Sequence, residues 1–222
     1  MLAARSSPPP SGALPCAPEA VDDFIGQPTP RVLEVVARTP GPFLVLGAGG
    51  KIGLHLCVML RRALDQLGRP DRVLAVSRFS TLRDRAAFEQ RGVETLACDL
   101  SDQASVEQLA DAPTVFFLAG VKFGTASSPA LLHAINVEVP QRVADRFARS
   151  RIIAFSSGCV YPFVTPGSGG AREDTPAAPV GDYAASCLAR EQAFTRVAAA
   201  HGTAVALIRL NYSIEFRYGL LV

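Results

Sequence analysis

A glycine-rich turn between an apolar strand and a helix restricts the folds open to this chain more than any other feature. Residues 42–46 (PFLVL) are apolar and of strand length, residues 47–53 (GAGGKIG) contain four glycines, and apolar residues recur at helical spacing through 54–60. At such a junction, free backbone N–H groups and the positive end of the helix dipole converge where a pyrophosphate could bind. The G-x-x-G-x-x-G spacing alone fits an ordinary strand-turn-helix equally well, so the rest of the chain must decide between the two interpretations.

Apolar runs of strand length alternate with helical segments after this turn. Strands are predicted at 72–77, 93–97, 114–118, 151–155 and 203–209, and helices up to residue 67, at 81–90, from 101 or 102, at 130–150 and at 183–201. Apolar strands separated by helices form a parallel sheet covered on both faces, so the predicted fold is α/β with a doubly wound parallel sheet. Ligands of this fold bind at the carboxyl ends of the strands. We therefore expect several features to lie along the carboxyl edge of the sheet: the glycine turn, Ser77, Asp99, Ala119, Ser156, Ser157 and the loop before Tyr183.

The composition argues against several classes of function. A net charge of +2 over 222 residues gives no basic footprint for nucleic acid or for an anionic membrane surface. No run approaches the ~18 apolar residues of a membrane span. The five cysteines are scattered without a C-x-x-C pair and the three histidines lie in separate segments, so neither a metal site nor a disulfide framework is expected. A reducing, cytoplasmic location is the simplest inference.

Several short motifs follow one another in a recognisable order. They are Gly47, Gly50 and Gly53, then 99–100 (DL), 117–120 (FLAG), 136–137 (NV), 155–161 (FSSGCVY), 173–176 (EDTP), Tyr183 and 209–212 (RLNY). Over residues 43–213 the chain resembles the extended short-chain dehydrogenases/reductases, the sugar-nucleotide epimerases and dehydratases. The FSSGCVY run, followed by the EDTP loop and Tyr183, is far more specific than the glycines. The resemblance implies a Rossmann domain that binds NAD(P), with Asn136 and Tyr161 at family positions near the cofactor or in packing and capping roles.

The resemblance also implies catalytic roles. Ser157 would position a substrate hydroxyl, and Tyr183 would be the acid/base while hydride passes to the nicotinamide. A lysine one helical turn later normally holds the nicotinamide ribose and lowers the tyrosine pKa, but this chain has Cys187 there. A neutral thiol does not favour the phenolate, so the family's triad is incomplete. Arg190 is expected on a different face of the helix, and Lys122 is a candidate cation from another direction.

The cofactor preference depends on the end of the second strand. An acidic residue there would bond the ribose of NAD, whereas a nearby arginine accommodates the extra phosphate of NADP. This chain has Ser77 followed by Arg78, and Lys51 adds a cation in the turn, so NADP is favoured over NAD. Asp99-Leu100 matches the family's adenine-contacting pair; Asp99 could also be an ordinary helix cap, and the two roles are compatible. The expected cofactor-binding residues are Gly47, Gly49, Gly50, Lys51, Ile52, Gly53, Ser77, Arg78, Asp99, Leu100, Ala119 and Gly120.

Four segments are expected along the chain. Residues 1–27 are predicted to be a disordered leader, and 28–41 a short accessory helix that braces the domain. Residues 42–213 would form the NAD(P)-binding domain, and 214–222 would begin a substrate-binding portion that is largely absent. The apolar end favours a fragment over a chain completed by a partner subunit, and a homodimer is considered as the assembly.

Three functions are compatible with these residues. The first is an epimerase/dehydratase-like oxidoreductase that acts on a secondary alcohol of a small molecule, such as a nucleotide-sugar. The second is a non-catalytic NAD(P)-binding sensor or scaffold, which Cys187 supports. The third is an NADPH-dependent carbonyl reductase, which the Ser77-Arg78 pair would suit.

Overall fold

The computed structural model describes residues 14–15, 17–80, 82–122 and 128–213. Within these ranges the strands are Phe43–Leu46 (β1), Val73–Ser77 (β2), Glu94–Ala97 (β3), Thr114–Phe117 (β4), Arg151–Ser157 (β5) and Val205–Leu210 (β6). The α-helices are Pro18–Ile25 (α1), Pro30–Arg38 (α2), Gly53–Gln66 (α3), Leu82–Glu89 (α4), Gln103–Glu107 (α5), Pro129–His133 (α6), Val139–Arg146 (α7) and Asp182–His201 (α8). A π-helical turn, Ala134–Glu138, joins α6 to α7, and a 3-10 turn, Gly158–Val160, follows β5.

All neighbouring strands of the sheet are parallel, in the order β3-β2-β1-β4-β5-β6. Leu46 at the end of β1 is level with Val76 of β2 on one side and with Phe117 of β4 on the other. The strand order therefore reverses beside β1, and the loops that leave β1 and β4 diverge and open a crevice at the carboxyl edge. The predicted doubly wound parallel sheet is confirmed.

Buried cores cover both faces of the sheet. Phe43 and Val45 face a core shared with α2, α3 and α4, whereas Leu44 and Leu46 face a core shared with α5, α7 and α8. In the second core the rings of Phe117 (β4) and Phe194 (α8) lie 5.1 Å apart, centroid to centroid. This contact holds α8 against the sheet, so the first turn of α8 is fixed at the crevice.

Helix α1 corrects the prediction that the whole segment 1–27 is disordered. It packs against α3, where Asp22 Oδ1 lies 2.8 Å from His55 Nε2. Asp23 accepts hydrogen bonds from Arg62 at 2.6 Å and from Arg91 at 3.2 Å. The proline-rich composition before this helix gave no indication of these distant partners.

The outer strands and the segment 130–150 also differ from expectation. Most of β3 is exposed, and Ile208 in β6 is 41% exposed, so the edge strands are not covered on both faces. The helix predicted at 130–150 is divided by the π turn, which places an extra residue in the helix at Asn136. Asn136 is fully buried and faces α8, where its Nδ2 donates to Ser186 Oγ at 3.1 Å.

Candidate functional site

Two cavities open at the carboxyl ends of the strands and meet at the glycine turn. The β2-side cavity has a volume of about 420 Å³, and the β5-side cavity about 260 Å³. Their shared wall consists of Gly47, Gly50, Leu118, Gly120 and Val121. The cavities lie on either side of the point where the strand order reverses, which is where a doubly wound fold receives the two halves of a dinucleotide.

The glycine turn packs closely against its neighbours at Gly47, Gly49 and Gly53 and is open at Gly50. Gly47 has a φ of +80°, and a Cβ there would lie 2.5 Å from the backbone nitrogen of Ala119. A Cβ at Gly53 would overlap the carbonyl oxygen of Ala48. At Gly50 the nearest atom to an added Cβ would be 3.6 Å away, an ordinary contact. Gly47 and Gly53 thus shape the turn, whereas Gly50 leaves room beside the backbone for a ligand.

The β2-side cavity contains much of the predicted cofactor set. Beyond the shared wall it is lined by the predicted residues Gly49, Ser77, Arg78, Asp99, Leu100 and Ala119. Asp99 accepts hydrogen bonds from Ser101 Oγ at 2.6 Å and Ser101 N at 2.9 Å; these bonds, helped by the charge of Arg78, lower the pKa of its carboxyl group. The cap of α5 is instead Asp102, which accepts from Ser105 N at 2.9 Å. Asp99 therefore does not cap α5, which corrects that expectation, and the residue lines the β2-side cavity.

Tyr183, in the first turn of α8, lines the β5-side cavity. The predicted residues Lys51, Ile52 and Gly53 line the same cavity. The side chains of Ser157 and Cys187 lie close enough to the Tyr183 phenol to influence its pKa. Burial raises the pKa of Tyr183 to about 12 and Cys187 adds to the rise, while Ser157 and the charge of Arg190 oppose it. The phenol is protonated at neutral pH.

Ser157 and Cys187 are both fixed beside the phenol. Ser157 is the last residue of β5, and its hydroxyl also accepts a hydrogen bond from Cys159 N at 3.2 Å. Cys187 is fully buried one helical turn after Tyr183. Burial raises the pKa of the Cys187 thiol, although the charge of Arg190 and the nearby Tyr183 phenol act in the opposite direction. The structure thus brings the predicted pair Ser157 and Tyr183 together, with a neutral thiol as their neighbour.

Arg190 lies on the same face of α8 as Tyr183 and Cys187, which corrects the expectation that it projects elsewhere. Positions 183, 187 and 190 are four and three residues apart, the spacing that aligns side chains along one helix face. The side chain is buried; Nη1 donates to Phe155 O at 3.1 Å and Nη2 to Asn136 Oδ1 at 2.9 Å. Arg190 lines the β5-side cavity. The shared helix face of these three residues could therefore be predicted from their spacing in the sequence.

The segment after β4 brings a second cation to the site. The Nζ atom of Lys122 lies 5.3 Å from the centroid of the Tyr183 ring, and Lys122 lines the β5-side cavity. Asn136 holds this segment, because its Oδ1 accepts from Val121 N at 2.9 Å and its Nδ2 donates to Val121 O at 2.8 Å. Lys122 therefore reaches the site from the direction that the sequence suggested.

A buried carboxylate that sequence reasoning missed ties β5, β6 and α8 together behind the site. Glu191, 3% exposed, accepts hydrogen bonds from Ser156 Oγ at 2.6 Å and from Arg209 at 2.8 and 3.0 Å. The bonds to Glu191 and the proximity of Tyr161 raise the pKa of Arg209, whose guanidinium lies 4.7 Å from the Tyr161 ring centroid. Ser156 precedes Ser157, so this cluster fixes the end of β5.

In the described ranges, no group of three or more His, Cys, Asp or Glu side chains is placed to hold a metal ion. Within those ranges, no helix combines the length and apolar character needed to span a membrane.

A parallel sheet with a glycine turn at its switch point and two cavities at its carboxyl edge defines a Rossmann-type nucleotide-binding protein. A sequence profile of the NAD dependent epimerase/dehydratase family matches residues 43–212. The chain belongs to this family, which confirms the resemblance seen in its motifs. A comparison with curated proteins found no match.

Solved structures share the fold at low sequence identity. A short-chain dehydrogenase/reductase superfamily protein from Agrobacterium tumefaciens with bound NAD is 23% identical, with a TM-score of 0.59 over 75% of this chain and 48% of its own. UDP-glucuronic acid 4-epimerase from Bacillus cereus in complex with NAD is 21% identical, with a TM-score of 0.60 over 75% of this chain and 55% of its own. The UDP-Glc/GlcNAc 4-epimerase from Campylobacter jejuni is 20% identical, with a TM-score of 0.61 over 75% and 52%. The chain spans about half the length of these proteins.

Proposed function

We propose that this chain is an NAD(P)-dependent oxidoreductase of the epimerase/dehydratase type that oxidises a secondary alcohol. The observation that carries the proposal is the position of Tyr183 beside Ser157, at the wall of a cavity that begins at the glycine turn. Family membership supports it, as does the NAD named in two of the structures with the same fold. Two of the solved structures with this fold are UDP-sugar epimerases, so a nucleotide-sugar is the proposed class of substrate.

The residues present fit a dinucleotide. The open space beside Gly50 suits a pyrophosphate, and Lys51 adds positive charge at the start of α3. The β2-side cavity would take the adenosine half and the β5-side cavity the nicotinamide half. When bound, the nicotinamide ring supplies a hydride acceptor. Ser157 would orient the substrate hydroxyl, and the Tyr183 phenolate would take its proton.

Cys187 limits this chemistry, because it stands where the family resemblance expects a lysine. With a pKa of about 12, Tyr183 is phenolate in only about one molecule in 10⁵ at pH 7. This observation favours a second candidate, a protein that binds NAD(P) without turnover and acts as a sensor or scaffold. The two candidates share the cofactor site and differ in whether Tyr183 transfers a proton.

The choice between NADP and NAD depends on the β2-side cavity. Ser77 and Arg78 line it at the end of β2, and Arg78 would pair with the extra phosphate of NADP. Asp84 lines the same cavity and offers a carboxylate for the ribose hydroxyls of NAD. We favour NADP, because Arg78 directly follows β2 whereas Asp84 belongs to α4. Replacement of Arg78 by Gln should weaken NADPH binding at least tenfold and leave NADH binding within twofold.

Fluorescence titration with NADH and NADPH, followed by assays of hydride transfer from UDP-glucose and UDP-glucuronic acid, tests the function. We expect binding of at least one dinucleotide and turnover that Tyr183→Phe abolishes. Tyr212→Phe alters an exposed tyrosine outside both cavities and is the matched control. Binding without turnover would favour the sensor or scaffold, and failure to bind either dinucleotide would contradict both candidates.

A further inference from the structure

Arg190 is a buried cation whose donors are not all used. A guanidinium has five N–H donors. Phe155 O and Asn136 Oδ1 accept one each, and the Nε atom is buried without a hydrogen-bond partner. Among the described residues, no carboxylate forms an ion pair with Arg190, and the adjacent Glu191 is bonded to Ser156 and Arg209 instead.

Burial of such a group is unfavourable unless something completes its hydrogen bonds. The side chain is 6% exposed, and burial lowers the pKa of Arg190. Natural folds rarely leave buried donors without partners. Nη1 and Nη2 each have a second N–H besides the one donated to Phe155 O or Asn136, and a ligand in the adjoining cavity would offer acceptors for these donors. Arg190 is at such a wall, since it lines the β5-side cavity together with Lys51 and Tyr183.

The surrounding backbone makes room for this guanidinium. A Cβ on Gly120 would lie 2.5 Å from Arg190 Nη2, so the missing side chain at position 120 allows the close approach. Gly120 belongs to the wall shared by the two cavities, which puts the guanidinium beside the point where a dinucleotide would pass from one to the other. Cys187, one turn earlier on the same helix face, is a neutral thiol and offers no charge there.

We propose that Arg190 supplies the cation that contacts the ribose of the nicotinamide half of the dinucleotide, in place of a residue at position 187. This inference rests on the proposed function. The guanidinium would donate hydrogen bonds to the ribose hydroxyl oxygens, and Phe155 O and Asn136 would hold it in that orientation. Arg190 would thus be a cofactor-binding residue in addition to those that the family resemblance implies.

Three probes separate the halves of the ligand: NADH, ADP-ribose, which keeps the second ribose, and ADP, which lacks it. For Arg190→Gln we expect about tenfold or greater weakening of NADH and ADP-ribose binding, with ADP binding changed less than twofold. Arg190→Lys keeps the charge and should recover part of the loss. Arg196→Gln is the matched control, because Arg196 lies on the same helix but pairs with Asp145 at an exposed site.

An equal loss for all three probes, or no loss for NADH, would overturn the assignment. If the variant fails to fold, the wild-type chain still gives an answer through the Nε–H resonance of ¹⁵N-labelled arginine. ADP-ribose should shift the resonance of Arg190 and slow its hydrogen exchange, whereas ADP should do neither; the same response to both ligands would contradict the proposal. Failure of the wild type to bind any dinucleotide would instead reject the proposed function itself.

Discussion

The thiol of Cys187 lies beside the phenol of Tyr183, one turn earlier on α8, and it adds to the rise in the tyrosine pKa that burial begins. Burial therefore keeps the phenol protonated at neutral pH, the neutral thiol supplies no positive charge to oppose this, and a protonated phenol cannot accept a proton from an alcohol. A cation in the same place would act in the opposite direction, because it would favour the phenolate.

Cys187→Lys should lower the pKa of Tyr183 from about 12 by roughly one to three units. The acid/base needs the phenolate, so activity that requires alkaline pH in the wild type should extend to lower pH, and the rate at pH 7 should rise about tenfold or more. The pH–rate profile measures this, and the phenolate absorbance, with Tyr183→Phe as the blank, reports the pKa directly. Cys187→Ala removes the thiol without adding charge; if Cys187→Lys gives no more than this control, the missing cation does not limit the reaction.

The glycine turn offers a pair of substitutions with opposite expected effects. Gly50→Ala should change the free energy of unfolding by less than about 1 kcal/mol, because the added methyl meets its nearest atom at 3.6 Å. It should weaken dinucleotide binding at least tenfold, since the methyl occupies the space assigned to the phosphates. Gly53→Ala should destabilise the fold by about 1–3 kcal/mol, because its methyl overlaps the backbone of Ala48. Urea unfolding measures the stability of both variants, and dinucleotide titration measures their binding. If Gly50→Ala binds the dinucleotide as tightly as the wild type, the phosphates do not lie beside Gly50.

The Glu191 cluster should contribute far more stability than an exposed ion pair. Glu191→Gln leaves Arg209 without its buried counter-charge, and we expect a loss of about 2–4 kcal/mol in the free energy of unfolding. Asp145→Asn breaks the exposed pair with Arg196 and should cost less than about 1 kcal/mol. Urea unfolding of both variants measures the difference, and equal costs would show that burial of the Glu191 carboxylate adds nothing.

The strands, the glycine turn and the sheet edge could be predicted because their signals are local. Apolar runs, turn residues and the rule that ligands meet the carboxyl ends of parallel strands are enough to place Ser77, Asp99 and Tyr183 around one crevice. Helix α1 could not be predicted in this way, because its partners His55 and Arg62 are 33 and 39 residues away from Asp22 and Asp23.

The remaining differences have separate physical causes. Glu191 is adjacent to Arg190 in the sequence, yet only the packing of β5, β6 and α8 decides which arginine it pairs with. Capping of α5 by Asp102 rather than Asp99 depends on where the helix begins, and helix ends are the least certain part of any sequence-based prediction. The side of α8 on which Arg190 lies, by contrast, follows from its spacing to Tyr183 and could be predicted from the sequence.

The π turn between α6 and α7 has a rotational consequence for the site. Each residue of an α-helix advances the chain by about 100° around the axis, so one residue in excess offsets the angular phase of α6 from that of α7. Asn136 lies in this π turn, and its Oδ1 accepts hydrogen bonds from both Val121 N and Arg190 Nη2. Insertion or deletion of one residue in the π turn would rotate Asn136 about the helix axis. Its carboxamide would then point away from both Val121 and Arg190, even if every side chain were kept.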